Sequence, residues 1–289
     1  MFQKRAFVQF LCLVALLICG LVPAQAQQKS LEVAPAFVEA KVKRGSAYTQ
    51  IYTISNHTSE RLRLSCSVID YWYDENNERL TGRPGTLPRS ASPWVQFSPA
   101  EAIIESHSSA NIKAIISVPF AAAGGYYTMP VFEAMPVKTA AASSASAEDT
   151  ATTSRGIRFR SLVMLATEDA SEDHVEIIDG KVLLLTDSKP FEMDLNVLNR
   201  GIVHASVRGL FAILDAKGAL AGRGKVEDDK LLPGQRKMIK APWAGELQPG
   251  SYTAVVTLSY DRVGTEPTTL VYELPFEVSQ QNLAGKATK

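Results

Sequence analysis

The residue pattern predicts an all-β protein of two β-sandwich domains in tandem, and three observations carry that prediction. From Leu31 onward, apolar and polar residues alternate in short runs between turn residues, with no sustained helical period. The runs fall into two series of similar layout. Between them lies a stretch, Lys138 to Glu168, that changes character halfway. Its first part, Lys138 to Ser154, is small and polar and offers nothing large enough to offset the entropy of ordering it, which predicts a flexible loop. Its second part, Arg155 to Ala166, alternates as a strand does: Ile157, Phe159, Val163 and Leu165 on one face, Arg158, Arg160, Leu162 and Met164 on the other.

In chain order, the first residues lie outside the fold. Lys4 and Arg5 precede an apolar run, Ala6 to Val22, and Ala24-Gln25-Ala26 supplies a small-x-small cleavage pattern. This reads as a secretory signal peptide, residues 1–26, cut after Ala26. Cys12 and Cys19 leave with it, so Cys66 stands alone and no internal disulfide is expected. Cys66 alternates with Leu62, Leu64 and Val68, the setting of a buried small apolar residue rather than a reactive thiol. Without Lys4 and Arg5 the mature chain carries two net negative charges, which gives no footprint for nucleic acid. No second apolar stretch is long enough to span a bilayer.

The first domain, residues 27–168, holds strand candidates at Leu31–Val42, Tyr48–Ser55, Leu62–Tyr73, Trp94–Phe97, Asn111–Val118, Tyr126–Ala134 and Ile157–Ala166. Asp74 to Pro93, rich in Asn, Gly and Pro, reads as a long irregular connection. In the second domain, residues 169–279, Phe191, Met193, Leu195 and Val197 alternate with Glu192, Asp194 and Asn196, marking a half-buried strand. Strands are also expected at Ser206–Leu214, Gln235–Lys240, Tyr252–Tyr260 and Leu270–Val278, with a frayed tail over 280–289. Ile54-Ser55-Asn56 matches Val197-Leu198-Asn199, and Gly125-Tyr126 matches Gly250-Ser251-Tyr252, as if the halves were variants of one unit. A tyrosine at that place caps a sandwich corner by bonding its hydroxyl to nearby backbone.

Catalytic chemistry finds no support. His57, His107, His174 and His204 show no metal-ligand spacing, and no nucleophile elbow or phosphate-cradling loop occurs. The acidic groups Glu168-Asp169, Glu172-Asp173 and Glu227-Asp228-Asp229 read as solvated charge in linkers or turns. Asn56-His57-Thr58 is a glycosylation sequon. The expectation is a non-enzymatic protein with no cofactor and no metal site.

Three stretches resemble a known family. Gly45-Ser-Ala-Tyr-Thr-Gln-Ile-Tyr-Thr-Ile-Ser-Asn56 is similar to the second strand of periplasmic pilus-assembly chaperones. Pro93-Trp-Val-Gln-Phe-Ser-Pro99, followed by Ile112–Pro119, resembles their middle strands, and the long polar loop before a long seventh strand is also like them. The resemblance implies two immunoglobulin-like domains in tandem and a periplasmic protein that holds pilus or other surface-fibre subunits by strand donation, with an outer-membrane usher as a further partner. Ile157, Phe159, Val163 and Leu165 are then candidates either for insertion into the client or for the chain's own core. The family anchors its client's terminal carboxylate with a basic residue in the first strand and another in the seventh. Here Ala40 stands nearest the first position, with Lys41 and Lys43 beside it, and the seventh strand offers Arg158 and Arg160. The family's Pro-x-Asp-Arg-Glu-Ser motif is replaced by Pro119-Phe-Ala-Ala-Ala-Gly-Gly-Tyr126, so the resemblance is to a divergent member. The competing expectation is a structural or adhesive cell-surface module that uses the same sandwiches without transient clients.

Overall fold

The computed structural model describes residues 31–74, 76–137, 156–168, 170, 174–183, 191–261 and 266–279. The expected signal peptide, the 138–154 loop and the 280–289 tail lie outside the described residues.

Strands up to Thr167 build one sandwich. They are β1 (Leu31–Ala34), β2 (Phe37–Val42), β3 (Ala47–Asn56), β4 (Leu62–Tyr73), β5 (Arg79–Gly82), β6 (Val95–Ser98), β7 (Glu101–Ile104), β8 (Ser109–Ser117), β9 (Gly125–Pro136), β10 (Ile157–Arg160) and β11 (Leu162–Thr167). One sheet runs β1-β3-β8-β6 and the other β2-β11-β9-β4-β5, with β10 added on β9 and β7 on β4. The alternating residues meet between them: Tyr52, Ile54, Ile112 and Ile116 from one sheet, Leu64, Phe132, Val163 and Leu165 from the other. Burying such side chains contributes roughly 1.5–3 kcal/mol each. The expected first strand is two strands, because at Pro35 the chain leaves one sheet for the other. The supposed irregular stretch 74–93 contains β5, which pairs with the end of β4.

A second sandwich follows from β12 (Val175–Leu183), β13 (Phe191–Asn199), β14 (Ala205–Asp215), β15 (Leu220–Leu231), β16 (Arg236–Trp243), β17 (Gly250–Asp261) and β18 (Thr268–Val278). Here a β12-β13-β16 sheet faces a β15-β14-β17-β18 sheet. Phe191, Met193, Leu195 and Val197 form the centre of its core, as their alternation predicts. Glu227, Asp228 and Asp229 lie within β15, not in a turn.

The internal repeat is physical. Asn56 and Asn199 each end a strand, each 1% exposed, and each side chain bonds the backbone of the following loop. Asn56 Nδ2 donates to Glu60 O at 2.7 Å and Glu105 O at 2.9 Å, while its Oδ1 accepts from Thr58 N. Asn199 Nδ2 donates to Val203 O at 2.8 Å and Leu231 O at 3.0 Å, and its Oδ1 accepts from Gly201 N. The Asn56 amide of the sequon is thus buried and committed to structural hydrogen bonds. The corner tyrosines behave alike: Tyr126 Oη accepts from Ala123 N at 3.2 Å, and Tyr252 Oη donates to Gln248 O at 2.9 Å. Cys66 packs against the first core as a free thiol, and burial pushes its pKa up to about 11.

Candidate functional site: an open strand edge beside the domain junction

The stretch 157–167 is one extended line with two different surroundings. β11 is paired along both sides, antiparallel with β9 and parallel with β2, which lies beside it from Leu162↔Phe37 to Thr167↔Val42. Among the described residues β10 is paired with β9 alone, from Ile157↔Ala134 to Arg160↔Val131. The register to β9 is unbroken across Ser161, whose N–H donates to Pro130 O at 3.0 Å. The next N–H, on Leu162, turns the other way and donates to Ala36 O at 3.0 Å. Backbone groups alternate sides along a strand, so the N–H and C=O of Arg158 and Arg160 face the unpaired edge. Ser161 closes that edge from below, its Oγ donating to Pro35 O at 3.0 Å.

This divides the four apolar candidates. Val163 and Leu165 are 0% exposed in a strand with neighbours on both sides, and the structure assigns them to the chain's own core, not to insertion elsewhere. Ile157 and Phe159 are half-buried, pack against the rim of the same core, and belong to the strand with the free edge.

The basic candidates are divided as well. Arg158 is exposed and its Nη2 meets Glu133 Oε2 across the strand pair at 3.0 Å. Arg160 is exposed opposite Val131 and forms no ion pair among the described residues. Lys41 lies opposite Ala166 and Lys43 beyond the end of β2, both exposed. Six positions separate Ala166 from Arg160, about 20 Å along a strand. The four anchor candidates therefore do not converge on one point: Arg160 stands at the open edge, Lys41 and Lys43 at the far end of β2.

Where β2 begins, the second domain approaches. Lys230 of β15 holds its Nζ 2.6 Å from Glu39 Oε2, 2.5 Å from Ser206 Oγ, and 5.6 Å from the centre of the Phe37 ring. His204 Nε2 meets Glu39 Oε1 at 3.1 Å, and its Nδ1 faces Tyr127 Oη at 3.4 Å. His204 is fully buried, and the Tyr127 hydroxyl beside it is pushed well above its ordinary pKa by burial. The His204 hydrogen bond, with help from the Lys230 ammonium, holds the Glu39 carboxyl at about 2 against the opposing effect of desolvation. Tyr71, Tyr127, Met129 and Met164 of the first domain close over Leu232 of the second in a small apolar contact. Glu39 was not picked out in the sequence and His204 was named only among histidines without metal-ligand spacing, because the two are 165 residues apart and neither sits in a motif.

Comparison with known proteins found no matching family model and no matching curated protein. Solved structures do match. A chain from "Chaperone-tip adhesin complex is vital for synergistic activation of CFA/I fimbriae biogenesis" is 14% identical with TM-score 0.46, over 84% of this chain and 97% of that one. The E. coli chaperone DraB is 12% identical with TM-score 0.42, over 85% and 98%. A chain of the Salmonella enterica SafA pilin complex with the SafB chaperone is 11% identical with TM-score 0.43, over 84% and 96%. At these identities and TM-scores the neighbours carry no argument about function, which rests on the strand edge. The chain is a tandem of two β-sandwich domains in which one strand of the first, β10, is paired on one side only among the described residues.

Proposed function

We propose that this chain is a non-enzymatic, periplasmic chaperone-like protein that holds a surface-fibre subunit by adding a strand of that subunit to the open edge of β10. The observation that carries the reading is the contrast within one strand line, where among the described residues β10 has one partner and β11 has two. An extended segment laid along β10 would satisfy the outward N–H and C=O groups of Arg158 and Arg160, and main-chain bonds of this kind supply affinity in strand addition. Ile157 and Phe159, half-buried at the rim, would face the subunit's own apolar groove. Arg160 has the planar fork suited to a carboxylate and no ion-pair partner among the described residues. Residues Gly45–Asn56 and Pro93–Pro99, with their likeness to pilus-assembly chaperones, support the same reading.

Backbone substitution tests it. Arg160→Pro removes an N–H aimed at the open edge and leaves the β9 ladder intact, which an edge strand tolerates. Phe159→Pro removes an N–H from the β9 ladder itself. Arg160→Pro should keep its thermal stability within a few degrees yet lose capture of a small β-rich subunit co-purified from periplasm. Wild-type capture by a folded Arg160→Pro variant contradicts the proposal.

A further inference from the structure

A cavity of about 550 Å³ opens at the domain junction, between Trp72, Tyr73 and Asp74 at the end of β4 and the Leu232–Arg236 turn that leads from β15 to β16. Cavities of roughly 300–1,000 Å³ at domain interfaces, with aromatic walls and a few polar groups, are the usual setting of small-ligand sites.

Hydrogen bonds within and across the junction hold the walls in place. Gln235 Nε2 donates to Asn77 Oδ1 at 3.0 Å across the junction, and its Oε1 accepts from Leu232 N at 2.8 Å. Gly234 N donates to Asn199 O at 2.7 Å. Asp74 Oδ1 accepts the N–H groups of Asn76 and Glu78, so this carboxylate is engaged by its own turn. Lys237 lies 5.5 Å from the Tyr73 ring centre and is paired with Asp229 at 2.8 Å. What stays uncommitted is the Arg236 guanidinium, exposed and without an ion pair among the described residues, beside the half-buried rings of Trp72 and Tyr73.

We propose that this cavity binds a small organic acid with a flat apolar body. The carboxylate takes the Arg236 fork, which matches it bidentately, and the body lies against the aromatic wall. Such a ligand touches both domains. The site is independent of the β10 edge, and either assignment stands if the other fails.

Indole-3-acetate, with its neutral isostere indole-3-acetamide, is the probe pair, read by backbone amide shifts of the intact chain. The acid should perturb the amides of residues 72–74, 232 and 234–236 saturably, and bind at least about tenfold tighter than the amide. Arg236→Gln should bring the acid down to the amide's affinity and leave amide binding unchanged, which also shows that the variant is folded. Equal binding of acid and amide, shifts confined to other surfaces, or no shift up to the solubility limit would each overturn the assignment.

Discussion

β10 and β11 lie on one strand line, in one register against β9, and yet they do opposite things. In β11 the alternation Val163, Leu165 is spent on the chain's own core, and β2 covers the outer edge. In β10 the same alternation, Ile157 and Phe159, stops half-buried because β2 begins only at Phe37, opposite Leu162. The lesson is that neighbour pairing, not side-chain pattern, decides which part of a strand is available. An open edge in a folded protein is normally blocked by charge, and the exposed Arg158 and Arg160 on the other face put charge at this one.

The contrast can be broken most strongly from the core side. Leu165→Ala should cost about 2–5 kcal/mol of first-domain stability, read by chemical denaturation, because a fully buried leucine leaves a cavity. Phe159→Ala should cost about 2 kcal/mol, since the ring is only half-buried, but should weaken client capture far more than Leu165→Ala does once both are compared in the folded state. If the two weaken capture equally, the division between β10 and β11 has no functional meaning.

A smaller effect concerns the junction that positions β2. Folding lowers the Glu39 pKa from 4.5 to about 2, so its contribution is complete above pH 4.5 and is lost as the pH falls towards 2. Glu39→Gln should loosen the contact between domains by about 1–2 kcal/mol at pH 7 and make no difference near pH 2, measured as the pH dependence of thermal unfolding. A penalty that persists undiminished in acid would mean that the Glu39 charge is not what holds Lys230 and His204. Smallest is Arg158→Ala, which removes an exposed pair with Glu133 and should change stability by under about 0.5 kcal/mol.

Much of the fold was legible because strand alternation is local. The four apolar residues of β13 and those of β17 point where their spacing says they do. β15 escaped notice for a reason that lies elsewhere in the chain. Its segment Leu220 to Leu231 is rich in glycine and charge, and two inward places are filled by rings from other strands. A Cβ on Gly222 would stand 2.5 Å from Trp243, and one on Gly224 2.5 Å from Phe211, so these positions must be glycine and show no apolar alternation. The candidate site was legible in the same measure. Ile157, Phe159 and the arginines could be named from the sequence, but the edge depends on where β2 starts, and the Glu39–His204–Lys230 contact depends on how two domains meet.

The most direct measurement is amide hydrogen exchange at single residues, in the free protein and in the complex co-purified from periplasm. In the free protein the Arg158 and Arg160 amides should exchange rapidly while those of Phe159 and Ser161 are protected by the β9 ladder, and client binding should protect Arg158 and Arg160. Arg158 and Arg160 amides that are already slow in the free chain, or that stay fast in the complex, would contradict the account.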